Sequence, residues 1–124
     1  MSDLTDIKKA REHWYKAYFQ GDTDVLKRIE AADFYVKSPK GKEERITRYD
    51  TIKQAMDNNK WFKNDIVLEE NALEFLLNDR KAKVSGHGRT LANGTALHEI
   101  DFEENWVKSK QGWQVQALHL NKVV

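Results

Sequence analysis

From Ile66 to Val123 the chain reads as extended segments, Ile66 to Leu77, Ala82 to Leu91, Thr95 to Lys108 and Trp113 to Val123, separated by short turns. Strands joined by so few residues run antiparallel, because a parallel return needs a crossover of a dozen residues or more. The second half is therefore a meander of long strands. The first half has helical spacing instead. Leu4, Ile7, Ala10, Trp14, Ala17 and Tyr18 recur at three- and four-residue intervals up to Gln20, and Gly21 stops that helix. Asp22 or Thr23 caps a second helix to about Ala31, with Val25, Leu26 and Ile29 as its apolar stripe. Asp33 to Ser38 reads as a short strand, and Asp50 as the cap of a third helix from Thr51 to about Asn59 with Ile52, Ala55 and Met56 inward. Helices followed by a strand meander predict an α+β class, with the helices packed on one face of a curved antiparallel sheet.

Charge and cysteine content narrow the function classes. Across 124 residues, 21 Lys and Arg stand against 20 Asp and Glu, a net charge of +1, and there is no cysteine. A dedicated nucleic-acid or acidic-membrane binder carries a basic excess that this chain lacks, so neither partner is expected. Disulfide frameworks, thiolate metal sites and thiol nucleophiles are excluded together. The opening residues lack a basic-then-apolar run, and no apolar stretch approaches about 20 residues, so a soluble, cytoplasmic chain is expected. No linker, repeat or low-complexity tract divides residues 1–124, which predicts one domain. Four Trp, four Tyr and five Phe put much of the core into aromatic side chains.

Hairpin register decides which side chains face the helices, since a slip of one residue exchanges the two faces. Along Thr95 to Lys108 the apolar phase is Ala96, His98, Ile100, Phe102, Glu104 and Trp106. A two-residue turn before it would oppose Glu104 to Lys83 but set His87 against Ile100, mixing the faces. Three turn residues, Ala92-Asn93-Gly94, instead pair Val84 with Phe102 and Gly86 with Ile100 inside, and Lys83 with Glu103 and His87 with Glu99 outside. For the last hairpin, the connection Ser109-Lys110-Gln111-Gly112 pairs Trp106 with Val115, Glu104 with Ala117 and Phe102 with His119. That register sends Trp113, Val115, Ala117 and His119 inward. It turns Leu118 and Leu120 to the outer face, where a second copy of the chain is expected to cover them in a homodimer.

The inner surface so predicted holds His98, Glu104 and His119 among Trp14, Tyr18, Phe102, Trp106 and Trp113. Glu104 and His119, diagonal neighbours at roughly 7–8 Å between Cα atoms, are the candidate catalytic pair for proton transfer. Their alternative role is to satisfy one another at a wet end of the core. Trp14, Tyr18, His98, Phe102, Trp106 and Trp113 are the candidate ligand-binding residues. No metal is expected, since residues 98 and 104 lie about 20 Å apart along one strand at ~3.3 Å per residue. No other cofactor is expected either. The run Lys37, Lys40, Lys42, Arg45 and Arg48, interrupted by Glu43 and Glu44, reads as a solvated loop. Gly86 and Gly88 on the inner face suggest strand curvature, or room for a ligand against bare backbone.

Several of these segments together resemble the nuclear-transport-factor-2-like superfamily. They are the first helix closing on Gly21-Asp22, the capped second helix, the strand ending in Ser38-Pro39-Lys40-Gly41, and the tail Trp106 … Gly112-Trp113-Gln114-Val115 … Leu118-His119-Leu120-Asn121. Within that superfamily the likeness is to the SnoaL-like proteins and to the association domain of calmodulin-dependent protein kinase II. The resemblance implies a cone-shaped fold of cystatin-like type, in which a bent sheet wraps a long first helix, leaves a pocket at one end and forms homodimers through its sheets. It does not choose a function, because isomerases, dehydratases, hydrolases, cyclases and binding modules share this fold. Ketosteroid isomerases carry their general-base Asp just before the proline, where this chain has Ser38, and their oxyanion Tyr where it has Trp14. Neither side chain does that chemistry. The resulting expectation is a homodimer binding a small, partly apolar molecule in an aromatic pocket. The alternatives are a lyase, isomerase or hydrolase using Glu104 and His119, and an association module.

Overall fold

The computed structural model describes residues 3–61, 66–92 and 94–122, without the side chains of residues 66, 97, 98 and 122. Helix α1 (Asp3–Gln20) is followed by α2 (Thr23–Ile29), β1 (Glu30–Ser38), β2 (Gly41–Glu44) and α3 (Arg45–Asp57). Four strands then complete the chain: β3 (Ile66–Asn78), β4 (Lys81–Ala92), β5 (Thr95–Ser109) and β6 (Gly112–Lys122). The sheet order is β2-β1-β6-β5-β4-β3. Its meander is antiparallel as expected, but β1 lies parallel to β6, so the sheet is mixed. The long connection from β1 to β6, through β2, α3 and the strands β3 to β5, supplies the crossover a parallel pair needs.

Gly21 ends α1 for two reasons. Its φ of +70° is left-handed, and a Cβ there would lie 2.6 Å from the Met56 Sδ of α3. Asp22 then caps α2, its carboxylate accepting from the Val25 N–H at 3.2 Å. Helix α3 begins at Arg45, earlier than Asp50 would have capped it, and its inward face is Tyr49 and Ile52, while Met56 is 43% exposed. The segment expected to be a solvated basic loop is thus β2 and the first turn of α3. Arg45 and Arg48 turn toward the buried carboxylate of Glu30, Arg45 donating to its backbone oxygen at 3.2 Å and Arg48 lying 3.4 Å from its carboxylate.

The β4–β5 hairpin differs from its predicted register by two residues. Ala92 pairs with Thr95, leaving a two-residue turn, and Leu97 is an extra residue between Ala96 and His98. Short turn and bulge together oppose Val84 to Glu104, Gly86 to Phe102 and Gly88 to Ile100. A shift of two leaves the side chains from Glu99 onward on their predicted faces, whereas Ala96, between turn and bulge, is shifted by one and exposed. The outer charges consequently meet diagonally, Lys83 to Glu103 at 3.5 Å and His87 to Glu99 at 2.7 Å.

The β5–β6 hairpin begins as predicted, with Lys108 opposite Trp113 and Trp106 opposite Val115, and then breaks register. Gln116 is an extra residue, after which Asn105 pairs with Ala117, Glu104 with Leu118, Glu103 with His119 and Phe102 with Leu120. One extra residue reverses the alternation. Leu118 and Leu120 therefore point inward and His119 outward, opposite to the sequence expectation for each. The core is aromatic as expected: Trp14 packs edge-on against Trp106 at 5.7 Å and Phe34 at 5.9 Å between centroids. Gly86 and Gly88 serve that core, since a Cβ on Gly86 would lie 3.1 Å from the Phe102 Cζ. The space beside them holds an aromatic ring.

Candidate functional site

Two buried carboxylates organise the interior. Glu104, fully buried on β5, faces α1, where Arg11 lies in the apolar stripe four residues after Ile7 and three before Trp14. The Arg11 guanidinium grips both of its oxygens, Nε to Oε1 at 2.7 Å and Nη2 to Oε2 at 2.8 Å. The Tyr15 hydroxyl donates to Oε2 at 2.6 Å and the Trp106 indole N–H to Oε1 at 2.8 Å. Four donors occupy the four lone-pair directions of the carboxylate. Arg11 also reaches Glu70 on β3 at 2.7 Å, which joins α1 to a second strand. Burial alone would lower the guanidinium pKa, but the hydrogen bond and charge of Glu104, with Glu70, outweigh it and raise the pKa. Burial, reinforced by the charge of Glu104, pushes the Tyr15 phenol well above its ordinary value, so it stays protonated.

Glu30, at the start of β1, is the second such group. It accepts from the Trp14 indole N–H at 2.9 Å and from the Tyr49 hydroxyl at 2.7 Å, with Arg48 alongside. Burial and then Glu30 push the Tyr49 phenol up. These two carboxylates fix α1 and α3 against the sheet and so hold open the space between them.

That space is a cavity of about 540 Å³ between α1, the β1–β2 turn, α3 and the inner face of β3 to β6. Its apolar wall is Trp14 and Phe19 from α1 with Val36, Leu68, Ile100, Leu118 and Leu120 from the strands. Tyr15 and Tyr18 line it from the same helix. Burial raises the Tyr18 phenol, and the Arg48 guanidinium opposes that rise. Its mouth carries Ser38, Lys40, Gly41, Glu43 and Arg48, with the Arg48 Nε 3.6 Å from the Glu43 carboxylate. Across the sheet from that mouth stands Thr90 on β4, directly opposite Leu68. Its Oγ1 is buried and has no hydrogen-bond partner among the described residues.

Of the predicted ligand-binding residues, Trp14 and Tyr18 line this cavity. Phe102, Trp106 and Trp113 belong to the core beneath it, buried to 5%, 0% and 6% exposure, and His98 falls outside the described side chains. Glu104 and His119 do not form a pair. The bulge at Gln116 places them on opposite faces, where His119 Nε2 lies 3.2 Å from the Tyr35 hydroxyl and Glu104 is filled by its four donors. Leu118 and Leu120, expected at an outer dimer contact, form part of the cavity wall instead. Sequence reasoning missed Arg11, Tyr15, Glu30, Arg48 and Thr90. A visible signal was Arg11, a charge inside an apolar helical stripe. No cluster of His, Asp and Glu able to hold a metal occurs among the described residues, and no described helix is long and apolar enough to cross a membrane.

No protein-family model matches the sequence, and no curated protein matches it. Solved structures do match its backbone. An NTF2-like protein from Cytophaga hutchinsonii superposes with a TM-score of 0.79 at 14% identity, over 99% of this chain and 100% of the other. A putative dehydratase from the NTF2-like family of Streptomyces avermitilis gives 0.77 at 14% identity, over 98% and 97%. The CaMKII hub of S. rosetta gives 0.75 at 16% identity, over 96% and 95%. At such identities the likeness is one of fold, and the chain has the nuclear-transport-factor-2-like, or cystatin-like, fold.

Proposed function

We propose that this protein binds a small, partly apolar molecule in the cavity between α1 and the sheet. The observation that carries the reading is the cavity itself, about 540 Å³ with an apolar wall and a few polar groups at its two ends. Dedicated small-molecule sites have this size and make-up. Trp14 and Tyr18 are the aromatic contacts in this reading, and Leu118 and Leu120 the aliphatic ones. Glu104 acts structurally, its four donors leaving no lone pair for a ligand.

The same reading takes the protein as a cytoplasmic homodimer whose copies meet across the outer face of the sheet. The exposure of Val67 and Leu76 on that face, 54% and 62%, supports the contact. Native mass spectrometry of freshly purified protein tests the ligand and the dimer together. A copurified small molecule on a dimeric species is the expected result. A monomer that neither carries nor accepts an apolar compound overturns the reading.

A further inference from the structure

We propose that the mouth of the cavity selects a ligand bearing a carboxylate, which Arg48 takes in exchange for Glu43. This inference rests on the ligand-binding reading above and names the head group that the mouth recognises.

Two arginines are buried against carboxylates, and they are unequally satisfied. Arg11 meets Glu104 at 2.7 and 2.8 Å and Glu70 at 2.7 Å. Arg48, whose side chain is 11% exposed, has Glu30 at 3.4 Å and Glu43 at 3.6 Å, and no nearer carboxylate among the described residues. A charge-assisted bond is about 2.7–2.9 Å long. The Tyr18 phenol is a further polar neighbour: burial raises it, and the charge and hydrogen bond of Arg48 oppose the rise. The rings of Tyr18 and Phe34 lie 5.4 and 5.6 Å from the guanidinium carbon and hold it at the cavity wall. A desolvated cation with five N–H protons and no close carboxylate has capacity for one more acceptor.

Strand register places that capacity beside the apolar wall. Glu43 on β2 pairs with Val36 on β1, and Val36 pairs with Leu118 on β6, so the three stand in one row across the sheet. From Glu43 to Leu118 is two strand spacings, roughly 10 Å. A head group at Arg48 therefore leaves a medium-length apolar body lying over Leu118, Leu120 and Ile100.

Glu43 is the replaceable carboxylate. Its side chain is 48% exposed and its 3.6 Å contact is too long for a hydrogen bond, so turning out to water costs little. Glu30 is not replaceable, since Trp14 and Tyr49 hold it at 2.9 and 2.7 Å. Lys40 adds a second positive charge to the same mouth. The Ser38 hydroxyl, accepting from the Lys40 N–H at 3.2 Å, keeps its own proton for a ligand oxygen. An ammonium head would meet both cations, and an alcohol would leave the guanidinium without its missing acceptor.

Octanoate, octanol and octylamine, titrated calorimetrically into the wild type, test this. Octanoate should bind at least about fivefold tighter than either of the others. Glu43→Gln, at an exposed position, removes the competing carboxylate and should raise the ratio of octanoate to octanol affinity about twofold or more. Arg48→Met should bring that ratio close to one. Should Arg48→Met lose its cooperative melt, the exposed change Lys40→Gln replaces it and should lower the ratio about twofold. The proposal falls if octanol or octylamine binds as tightly as octanoate, if Glu43→Gln fails to raise the ratio, or if the folded cation variant leaves it unchanged; in those cases ligand binding in the cavity itself stands. If none of the three compounds binds, the cavity reading fails along with it.

Discussion

Arg11 on the first helix holds both carboxylate oxygens of Glu104 on the fifth strand, at 2.7 and 2.8 Å, with side-chain exposures of 6% and 0%. Removing one member of such a pair strands the other charge in the interior. Arg11→Met is therefore expected to cost about 3–5 kcal/mol, well above a surface substitution. The double variant Arg11→Met/Glu104→Leu should be more stable than the sum of its single changes implies. Urea denaturation of the four proteins in the cycle measures both, and additive losses would show that the pair is not coupled.

At the opposite pole of the core, the Tyr49 hydroxyl donates to Glu30 at 2.7 Å. Tyr49→Phe takes away one hydrogen bond to a charged acceptor and should destabilise the fold by about 1.5–3 kcal/mol. Burial and Glu30 raise the Tyr49 phenol, so the fold favours its protonated form. Its contribution is thus complete below the ordinary phenol value of about 10 and fades as alkaline pH passes the raised one. A stability profile above pH 10 that is identical in wild type and Tyr49→Phe would contradict this.

Gly86 and Gly88 are neighbours on one face of β4 with different surroundings. A Cβ on Gly86 would meet Leu73 at 2.8 Å, the Phe102 ring at 3.1 Å and the Asn71 carbonyl at 3.2 Å, whereas on Gly88 the nearest atom is 3.4 Å away. Gly86→Ala should cost about 1–3 kcal/mol through overpacking, and Gly88→Ala distinctly less. Thermal melts of the two variants decide the order.

His87 on the outer face sits between Asp101 at 3.0 Å and Glu99 at 2.7 Å. The hydrogen bond to Asp101, then that to Glu99, raises the imidazole above its ordinary value. The fold therefore favours the charged ring. Its contribution is complete below about pH 6.5 and disappears as pH climbs through the raised value. NMR titration of the His87 ring should show the upward shift, and His87→Gln should flatten the corresponding slope in stability. A ring that titrates at or below the ordinary imidazole value would remove the basis for the claim.

The extra residue Gln116 sets the inward faces of Leu118 and Leu120. Deleting it restores strict alternation, which would turn both leucines outward and His119 inward. The deletion should abolish cooperative unfolding and raise binding of a hydrophobic dye; a cooperative melt with unchanged dye binding would mean that the strand tolerates either register.

The two hairpins show where the sequence was legible and where it was not. On β4–β5 the turn differs by one residue and the bulge at Leu97 adds another, so beyond the bulge the two combine to a shift of two that leaves the faces as predicted. On β5–β6 the turn was judged correctly and a bulge farther along reversed what followed. A trace of that reversal is present in β6, whose apolar side chains stand at odd positions as far as Val115 and at even ones from Leu118. Helix α3 was harder to see. Its first turn is polar because Arg45 and Arg48 serve Glu30, a requirement that hydrophobic periodicity does not register. Thr90 left no pattern at all, since a lone hydroxyl acquires meaning only from the cavity in front of it.

The partners of Arg11 lie far along the chain, Glu70 by 59 residues and Glu104 by 93. During synthesis the first helix therefore emerges long before either carboxylate exists. Until β5 arrives its guanidinium keeps its water, and no shorter nascent chain can bury that face in the native way. Docking of α1 must then be a late event, and a fragment ending before Glu104 should expose its aromatic stripe to chaperones, proteases or other chains.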